Sequence, residues 1–295
     1  MVGAMVRPRR SRGMLVTDLD GTLLGSSRTL HPLDRAALEE LDRRDVVRVV
    51  ATGRNPLSYL RAVGYELPVD YVILSSGVAV MDHRRRRYIR ISSLQEHEVL
   101  EGMRVLAPLD LDFMVHEPAP ENHRFAYRRS SRPSEDLARR IQLYAPHARP
   151  LEPTGLSGSD GRGQWRGPAS QLLAIDPEAS GALTYERVRA ALPALTVIRA
   201  TSPLSGQGTW VEIFAPSVSK SKSSAWLAAE LGIETSDVLT VGNDYNDLDL
   251  LDWGGTSFVV ANAPADLKAR YPAVPSNDEA GVSVAIRRWL EARGP

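Results

Sequence analysis

Two aspartates one residue apart, Asp18-Leu19-Asp20, are followed at once by Gly21-Thr22-Leu23. They come directly after a short apolar run, Met14-Leu15-Val16-Thr17. If that run is a strand of an open α/β sheet, both carboxylates stand at its C-terminal end, where such sheets bind ligands. Gly21 permits a sharp turn and close approach of a ligand to the backbone. Main-chain amides in such a turn can meet an anion. Two close carboxylates repel, so the pattern requires a cation, a shared proton or a solvated loop.

The elements that must position this turn alternate in type. A helix is predicted from about Pro32 to Arg43, with proline at its first turn, where it is tolerated. Val46–Ala51 is β-branched and reads as a strand. A second helix from Pro56 to Val63 ends at Gly64, and Tyr71–Leu74 reads as a third strand. Near the C-terminus the same grammar returns: a helix from Lys220 to Leu231 stopped by Gly232, a strand at Asp237–Val241, a short helix from Asn246 to Trp253, a strand at Ser257–Ala261 and a closing helix from Glu279 to Ala292. Strand–helix–strand repetition with apolar strands argues for a parallel sheet covered on both faces.

The middle of the chain reads differently. Strand-like runs at Tyr88–Ile91, Leu111–His116, Leu172–Ile175, Leu195–Arg199 and Thr209–Phe214 mix with helical stretches at Leu94–Leu106, Ser134–Tyr144 and Ala179–Leu192. The expected division is a basic leader at residues 1–13, an α/β core formed by 14–83 plus 209–295, and an inserted α+β domain at 84–208. The run His83–Arg87 reads as a solvated turn near the junction, and Thr154–Pro168 as a glycine-rich loop of the insertion, with Trp165 in it. No G-x-G-x-x-G dinucleotide fingerprint occurs there.

Taken together, the motifs resemble the haloacid dehalogenase-like hydrolase superfamily, whose first motif is DxDGT. Ala51-Thr52-Gly53-Arg54, at the end of the second strand, resembles the family's phosphate-binding motif. Lys220, after Ser217-Val218-Ser219, resembles its lysine motif, and Gly242-Asn243-Asp244-Tyr245-Asn246-Asp247 its acidic metal motif. Asn262-Ala263 and Asn277–Val282 extend the likeness toward the C-terminus. The insertion lies between the second and third motifs, as in the Cof-like subgroup with a type IIB α+β cap. The fold this implies is α/β, a Rossmann-like parallel-sheet core with an inserted α+β cap.

The resemblance also implies roles. Asp18 would be the nucleophile that forms an aspartyl-phosphate. Asp20 would protonate the leaving alkoxide and later deprotonate water. Leu19, Gly21, Thr52, Gly53 and Lys220 would bind the phosphoryl group, and Arg54 and Asn246 the substrate. Mg²⁺ would be held by Asp18, Asp20, Asn243 and Asp247, a set of oxygen donors that suits it. The family's first acidic-loop aspartate corresponds here to Asn243, so either Asn243 ligates with Asp247 behind it, or Asp244 takes over.

The implied activity is hydrolysis of a small phosphorylated metabolite, a sugar or polyol phosphate. A phosphomutase of the same superfamily and a non-catalytic binding module on this fold are the alternatives. His116 and His123 fall in the insertion, where they could face a substrate. Composition narrows the field further. The 295 residues carry 36 basic and 36 acidic side chains, so no basic footprint for nucleic acid exists at whole-chain level. There is no cysteine, which excludes disulfides, thiolate zinc and a cysteine nucleophile. No apolar run approaches the roughly 20 residues of a membrane span. A cytoplasmic monomer or homodimer is expected. The basic residues are 33 arginines and three lysines, Lys220, Lys222 and Lys268, which makes a lysine at a motif position more telling.

Overall fold

The computed structural model describes residues 11–151, 165–177, 181–206 and 208–294. Most of the basic leader and most of the glycine-rich stretch 154–168 therefore lie outside the described residues. The leader's last residue does not stay apart from the fold: Gly13 opens the first strand.

The chain begins with β1 (Gly13–Thr17), α1 (Pro32–Arg43), β2 (Val46–Ala51), α2 (Pro56–Val63), β3 (Tyr71–Leu74), β4 (Ala79–Asp82) and β5 (Arg87–Ile91). It continues through α3 (Glu96–Leu106), β6 (Asp112–His116), β7 (Phe125–Arg128), α4 (Glu135–Leu143), β8 (Ala148–Pro150), β9 (Gln171–Asp176), α5 (Gly181–Ala191), β10 (Thr196–Thr201) and β11 (Thr209–Phe214). It closes with α6 (Lys220–Leu231), β12 (Val238–Gly242), α7 (Leu248–Trp253), β13 (Thr256–Val260), α8 (Ala265–Arg270), β14 (Ala273–Val274) and α9 (Gly281–Arg293).

Two compact units result. The first draws on the chain up to Arg54, on Ser58–Ile91 and on the chain from Ser219 onward; the second on Asn55–Leu57 and Ser92–Val218. The first unit is built on an eight-stranded sheet in the order β14-β13-β12-β1-β2-β3-β4-β5. Every neighbouring pair from β14 to β3 is parallel, and β4 and β5 add antiparallel strands at the edge. Parallel strands covered on both faces lose their polar side, and β1, β2 and β3 are buried along their whole length. Met14, Val16, Val49, Ile73 and Val238 pack into one cluster with Leu227 and Ile233.

The second unit is a six-stranded sheet in the order β10-β11-β9-β6-β7-β8, antiparallel except for β7 with β8. Helix α3 packs on β9, and α5 on β10 and β11. Met114, Phe125, Leu173, Ile175 and Trp210 form a core with Leu137 of α4.

The α/β core with an inserted α+β unit is as the sequence implies, but both boundaries move. Residues 87–91, expected in the insertion, pair with β4 in the first sheet. Residues 209–214, expected in the core, pair with β9 and β10 in the second sheet. Each run has strand character by itself, and only hydrogen-bond pairing assigns it a sheet. The His83–Arg87 turn is the β4–β5 connection, and its arginines are engaged. Arg84 pairs with Asp42 at 2.5 Å and Asp70 at 2.7 Å, and Arg85 with Asp82 at 2.8 Å.

Candidate active site

β1 lies between β12 and β2, so the chain leaves it in one direction for β2 and returns on its other side as β12. Such a reversal opens a crevice at the C-terminal ends of the strands. Asp18 follows β1 there, Thr52 follows β2 and Asn243 follows β12. The Asp18 amide donates to Val241 O at 2.9 Å, which ties the motif to its neighbouring strand. The amides of Leu23 and Leu24 both donate to Leu19 O, closing the turn. Gly21 has φ +75°, and a Cβ there would lie 2.7 Å from Asn243 Nδ2. Glycine suits this position through its left-handed backbone, and a side chain there would also press on the Asn243 amide.

Lys220 is the centre of the buried charge. Ser219 caps α6, its hydroxyl accepting from the Lys222 amide, and Lys220 then begins the helix with no solvent exposure. Its Nζ donates to Asp18 Oδ1 and to Asp247 Oδ1, both at 2.6 Å. Burial opposes the charge on Lys220, yet the two carboxylates outweigh it and hold the ammonium above its ordinary range. Asp18 is pushed up, first by burial and further by Asp247, against the pull of Lys220. Two carboxylates thus share one ammonium in a shielded place.

The oxygens are allotted differently on the two aspartates. Asp247 Oδ2 accepts from the amides of Asn243 at 2.8 Å and Asp244 at 3.1 Å, so both of its oxygens are occupied. Asp18 Oδ2 accepts no hydrogen bond among the described residues, and the side chain keeps 7% exposure. It is the one oxygen of these two carboxylates without a donor among the described residues. Lys222, the near neighbour of Lys220 in sequence, does not join this cluster.

Asp20 is 43% exposed and meets Arg54 in a two-toothed pair, Nε to Oδ2 and Nη2 to Oδ1, each 2.6 Å. Arg54 Nη1 also reaches Ser58 O and Oγ. The residue expected to bind substrate is thus joined to the second carboxylate. Thr52 is buried, and its hydroxyl accepts from the Arg54 amide at 3.1 Å. Gly53 follows as an exposed bend. Leu19 is wholly buried, so only its main chain is offered. Asn246 is half-buried in the turn before α7.

In the acidic loop Asn243 Oδ1 accepts from Thr22 Oγ1 at 3.1 Å. Asp244 instead stands at the N-cap of the following turn, its main-chain carbonyl accepting from the Asp247 amide at 2.9 Å. Among the described residues no group of three or more His, Asp or Glu side chains converges as a metal cage. The side chains that the motifs bring to this crevice, those of Asp18, Asp20 and Asn243, offer carboxylate and amide oxygens. Oxygen donors of this kind fit a hard divalent cation.

Other residues hold these motifs in place, among them Asn262 and Asn277, which the sequence offered only as part of the likeness. Asn262 Nδ2 donates to Gly21 O at 2.8 Å, and Asn277 Nδ2 to Leu24 O at 2.9 Å, clamping the first motif from behind. The Ser75–Gly77 turn after β3 supports the second and third motifs: Ser76 N donates to Thr52 O, and Ser223 Oγ to Gly77 O. A Cβ on Gly77 would fall 2.4 Å from Ser219 O, so the cap of α6 sits directly on this glycine. The pair of small serines before a glycine is the available clue. A cavity of about 330 Å³ opens at the other end of the sheet, lined by Asp42, Arg48, Tyr65, His83, Arg84 and Arg86 among others, and it contains no motif residue.

The ordered motifs converge in one crevice, and a model of haloacid dehalogenase-like hydrolases matches residues 15–286. The chain belongs to the haloacid dehalogenase-like hydrolase family. Within it the chain is a phosphatase, as are relatives it matches over nearly their whole length. It is 25% identical over 283 residues to a phosphoglycolate phosphatase of Methanopyrus kandleri, covering 94% of this chain and 97% of that one. It is 22% identical to the stress response protein YhaX of Bacillus subtilis, covering 95% and 94%. A phosphatase of the superfamily from Bacteroides thetaiotaomicron superposes with a TM-score of 0.72 at 18% identity, over 97% of this chain and 98% of that one. A subclass IIB sugar phosphatase superposes with a TM-score of 0.70 at 17% identity, over 94% and 98%. No helix among the described residues is long and apolar enough to cross a membrane.

Proposed function

We propose that this phosphatase is a Mg²⁺-dependent phosphomonoester hydrolase working through an aspartyl-phosphate on Asp18. The observation that carries this reading is the division of Asp18's oxygens: Oδ1 is fixed by Lys220 at 2.6 Å, while Oδ2 has no hydrogen bond among the described residues. A carboxylate held by one oxygen has a defined line of attack for the other. Attack of Oδ2 on phosphorus expels an alkoxide, which takes its proton from Asp20. Asp20 then removes a proton from water as the water attacks the acyl phosphate. For this, Asp20 must enter the first step as the carboxylic acid, with one oxygen released from Arg54 to carry the proton toward the leaving group, and it regains that proton from the attacking water. Lys220 offers a buried positive charge beside the phosphoryl site. Amides of Leu19 and Gly21, with Thr52 and Gly53, complete the cradle in this reading.

Asp18, the main-chain carbonyl of Asp20 and Asn243 would hold Mg²⁺, with Asp247 behind them shaping the loop. The ion would neutralise charge on phosphoryl oxygens. The substrate class is a small phosphorylated metabolite, a sugar or polyol phosphate, and the second unit would act as the cap that selects it. Relatives named for phosphoglycolate and for sugar phosphates support small monoesters as a class. A panel of phosphorylated metabolites, assayed for inorganic phosphate with and without Mg²⁺, tests the proposal. Release of phosphate from none of them, by folded protein with Mg²⁺ present, overturns it.

A further inference from the structure

The cavity of about 330 Å³ at the far end of the first sheet lies wholly within the first unit. It has room for roughly ten waters, which is the scale of a small metabolite. Helix α1 lines it with Glu39 and Asp42, three residues apart and so on one face of the helix. The α2–β3 connection adds Tyr65, and the β4–β5 turn adds Arg84 and Arg86. Arg48 of β2 also lines it, although it is almost wholly buried. All three guanidinium nitrogens of Arg48 are used. Nε and Nη2 donate to Asp70, Nη2 also to Asp42 at 2.6 Å, and Nη1 to Leu38 O.

What the ion pairs leave over is of both signs. Arg84 pairs through Nε with Asp70 and through Nη2 with Asp42 Oδ1, which leaves its Nη1 and Asp42 Oδ2 without partners among the described residues. The Glu39 carboxylate and the Arg86 guanidinium form no ion pair or hydrogen bond among the described residues, and both are exposed. Although they line one cavity, they do not pair with each other. The Arg86 guanidinium carbon lies 4.4 Å from the ring centre of Tyr65. Stacking on the ring fixes the plane of the guanidinium and leaves its N–H edge open. His83, also at the cavity, adds no charge: burial holds it below its ordinary range, and its Nε2 meets Tyr59 OH at 3.2 Å.

One cavity thus has an acidic edge on α1 and a basic edge on the β4–β5 turn. A plain anion would meet Glu39 and Asp42, and a plain cation would meet Arg84 and Arg86. Each would suffer like-charge repulsion. A molecule that carries both charges side by side meets an opposite charge at each edge. An α-amino acid holds its ammonium and its carboxylate on one carbon. The ammonium has three donors for Glu39 and Asp42 Oδ2, and the carboxylate accepts from the Arg86 fork and Arg84 Nη1. We infer that this cavity binds a free α-amino acid, its ammonium on the Glu39 and Asp42 edge and its carboxylate on the Arg84 and Arg86 edge. The site includes no residue of the crevice and does not rest on the phosphatase reaction.

The test uses the full chain. Thermal melts with the standard L-amino acids, added one by one, find those that stabilise the fold, and calorimetry then measures their affinity. Each binder is compared with the amine that lacks its carboxylate and with the acid that lacks its amino group. At least one amino acid is expected to bind, and both analogues to bind about tenfold more weakly or less. Arg86→Met keeps the stem and removes the fork, and Glu39→Gln removes the charge of the acidic edge. Each should weaken the amino acid about threefold to tenfold, as a charged contact at a partly exposed rim. Arg86→Met should also erase the preference over the amine, and Glu39→Gln the preference over the acid. Both side chains are exposed, and melts without ligand check that the variants fold; Arg86→Gln replaces Arg86→Met if it does not. Three results overturn the inference. The first is no binding of any amino acid. The second is an acid without an amino group binding as tightly as the amino acid, which makes this a plain anion site. The third is affinity unmoved in both variants, which places the amino acid elsewhere.

Discussion

Arg54 meets Asp20 through two parallel hydrogen bonds of 2.6 Å, although the residues are 34 positions apart in the chain. The pair fixes where the second carboxylate of the motif points. Arg54→Met is expected to lower kcat about tenfold to a hundredfold, because misplacing a proton-transfer group costs on that order. Stability should fall by less than about 1 kcal/mol, since the pair is partly exposed. Steady-state rates with thermal melts separate the two. An unchanged kcat would mean that Arg54 does not position Asp20 for the reaction.

Lys220 between Asp18 and Asp247 supports a contrast between two variants. Lys220→Met leaves two buried carboxylates without a counter-charge and should cost about 3–5 kcal/mol as well as all activity. Asp18→Asn leaves a one-to-one pair of Lys220 with Asp247. It should abolish turnover with stability within about 1 kcal/mol of the wild type or above it, because an amide is cheaper to bury than a carboxylate. Adding Asp18→Asn to Lys220→Met should restore part of the stability and none of the activity. Denaturant unfolding of the three proteins checks this. Asp18→Asn retaining near wild-type turnover would remove Asp18 as nucleophile.

Asn243 and Asp244 are separated by a metal titration. Asn243 faces Thr22 and Gly21, whereas Asp244 caps the turn of its own loop. Asn243→Asp should therefore lower the Mg²⁺ concentration for half-maximal activity, since it adds a charge to the donor set. Asp244→Asn should change it little. The reverse pattern would make Asp244 the direct ligand.

Asp34 provides a pH-dependent test of stability away from the crevice. It is fully buried on α1, its Oδ1 accepts from Ser283 N at 2.7 Å, and its Oδ2 has no partner. Burial pushes its pKa up to about 6, against smaller opposing effects of the Ser283 amide and His31. Because the folded value is raised above the unfolded one, its favourable contribution is complete below about pH 4 and is lost as pH rises through about 6. Asp34→Asn removes this dependence and keeps an oxygen for Ser283. The variant should gain about 1–2 kcal/mol over the wild type at pH 7.5. The gain should shrink toward zero by about pH 4. Melting curves of both proteins across that range decide it, and a constant difference at every pH would refute the assignment.

Much of the crevice is legible in the amino-acid sequence, for a local reason. Asp18 to Thr22, Thr52 and the acidic loop each end or follow an apolar strand run, and Lys220 follows a capping serine. A strand's end and a helix's start are set by residues within a few positions of one another. That local grammar determines the alternating α/β core, the helices and the order of the motifs. Pairing across the chain is decided only in three dimensions. The run 87–91 has the same strand character whichever sheet receives it, and its place at the edge of the first sheet comes from the hydrogen bonds of β4. Arg54 finding Asp20, Asp247 turning one oxygen to Lys220 and the other to loop amides, and Asn262 and Asn277 clamping the first motif all depend on which strands lie side by side. Arg140 reads in the sequence as one of 33 arginines on a surface helix. Tyr144, four residues on, is within reach of local spacing, but the approach of Phe125 and Trp210 exists because β7 and β11 are folded against α4, and local periodicity carries no trace of those contacts.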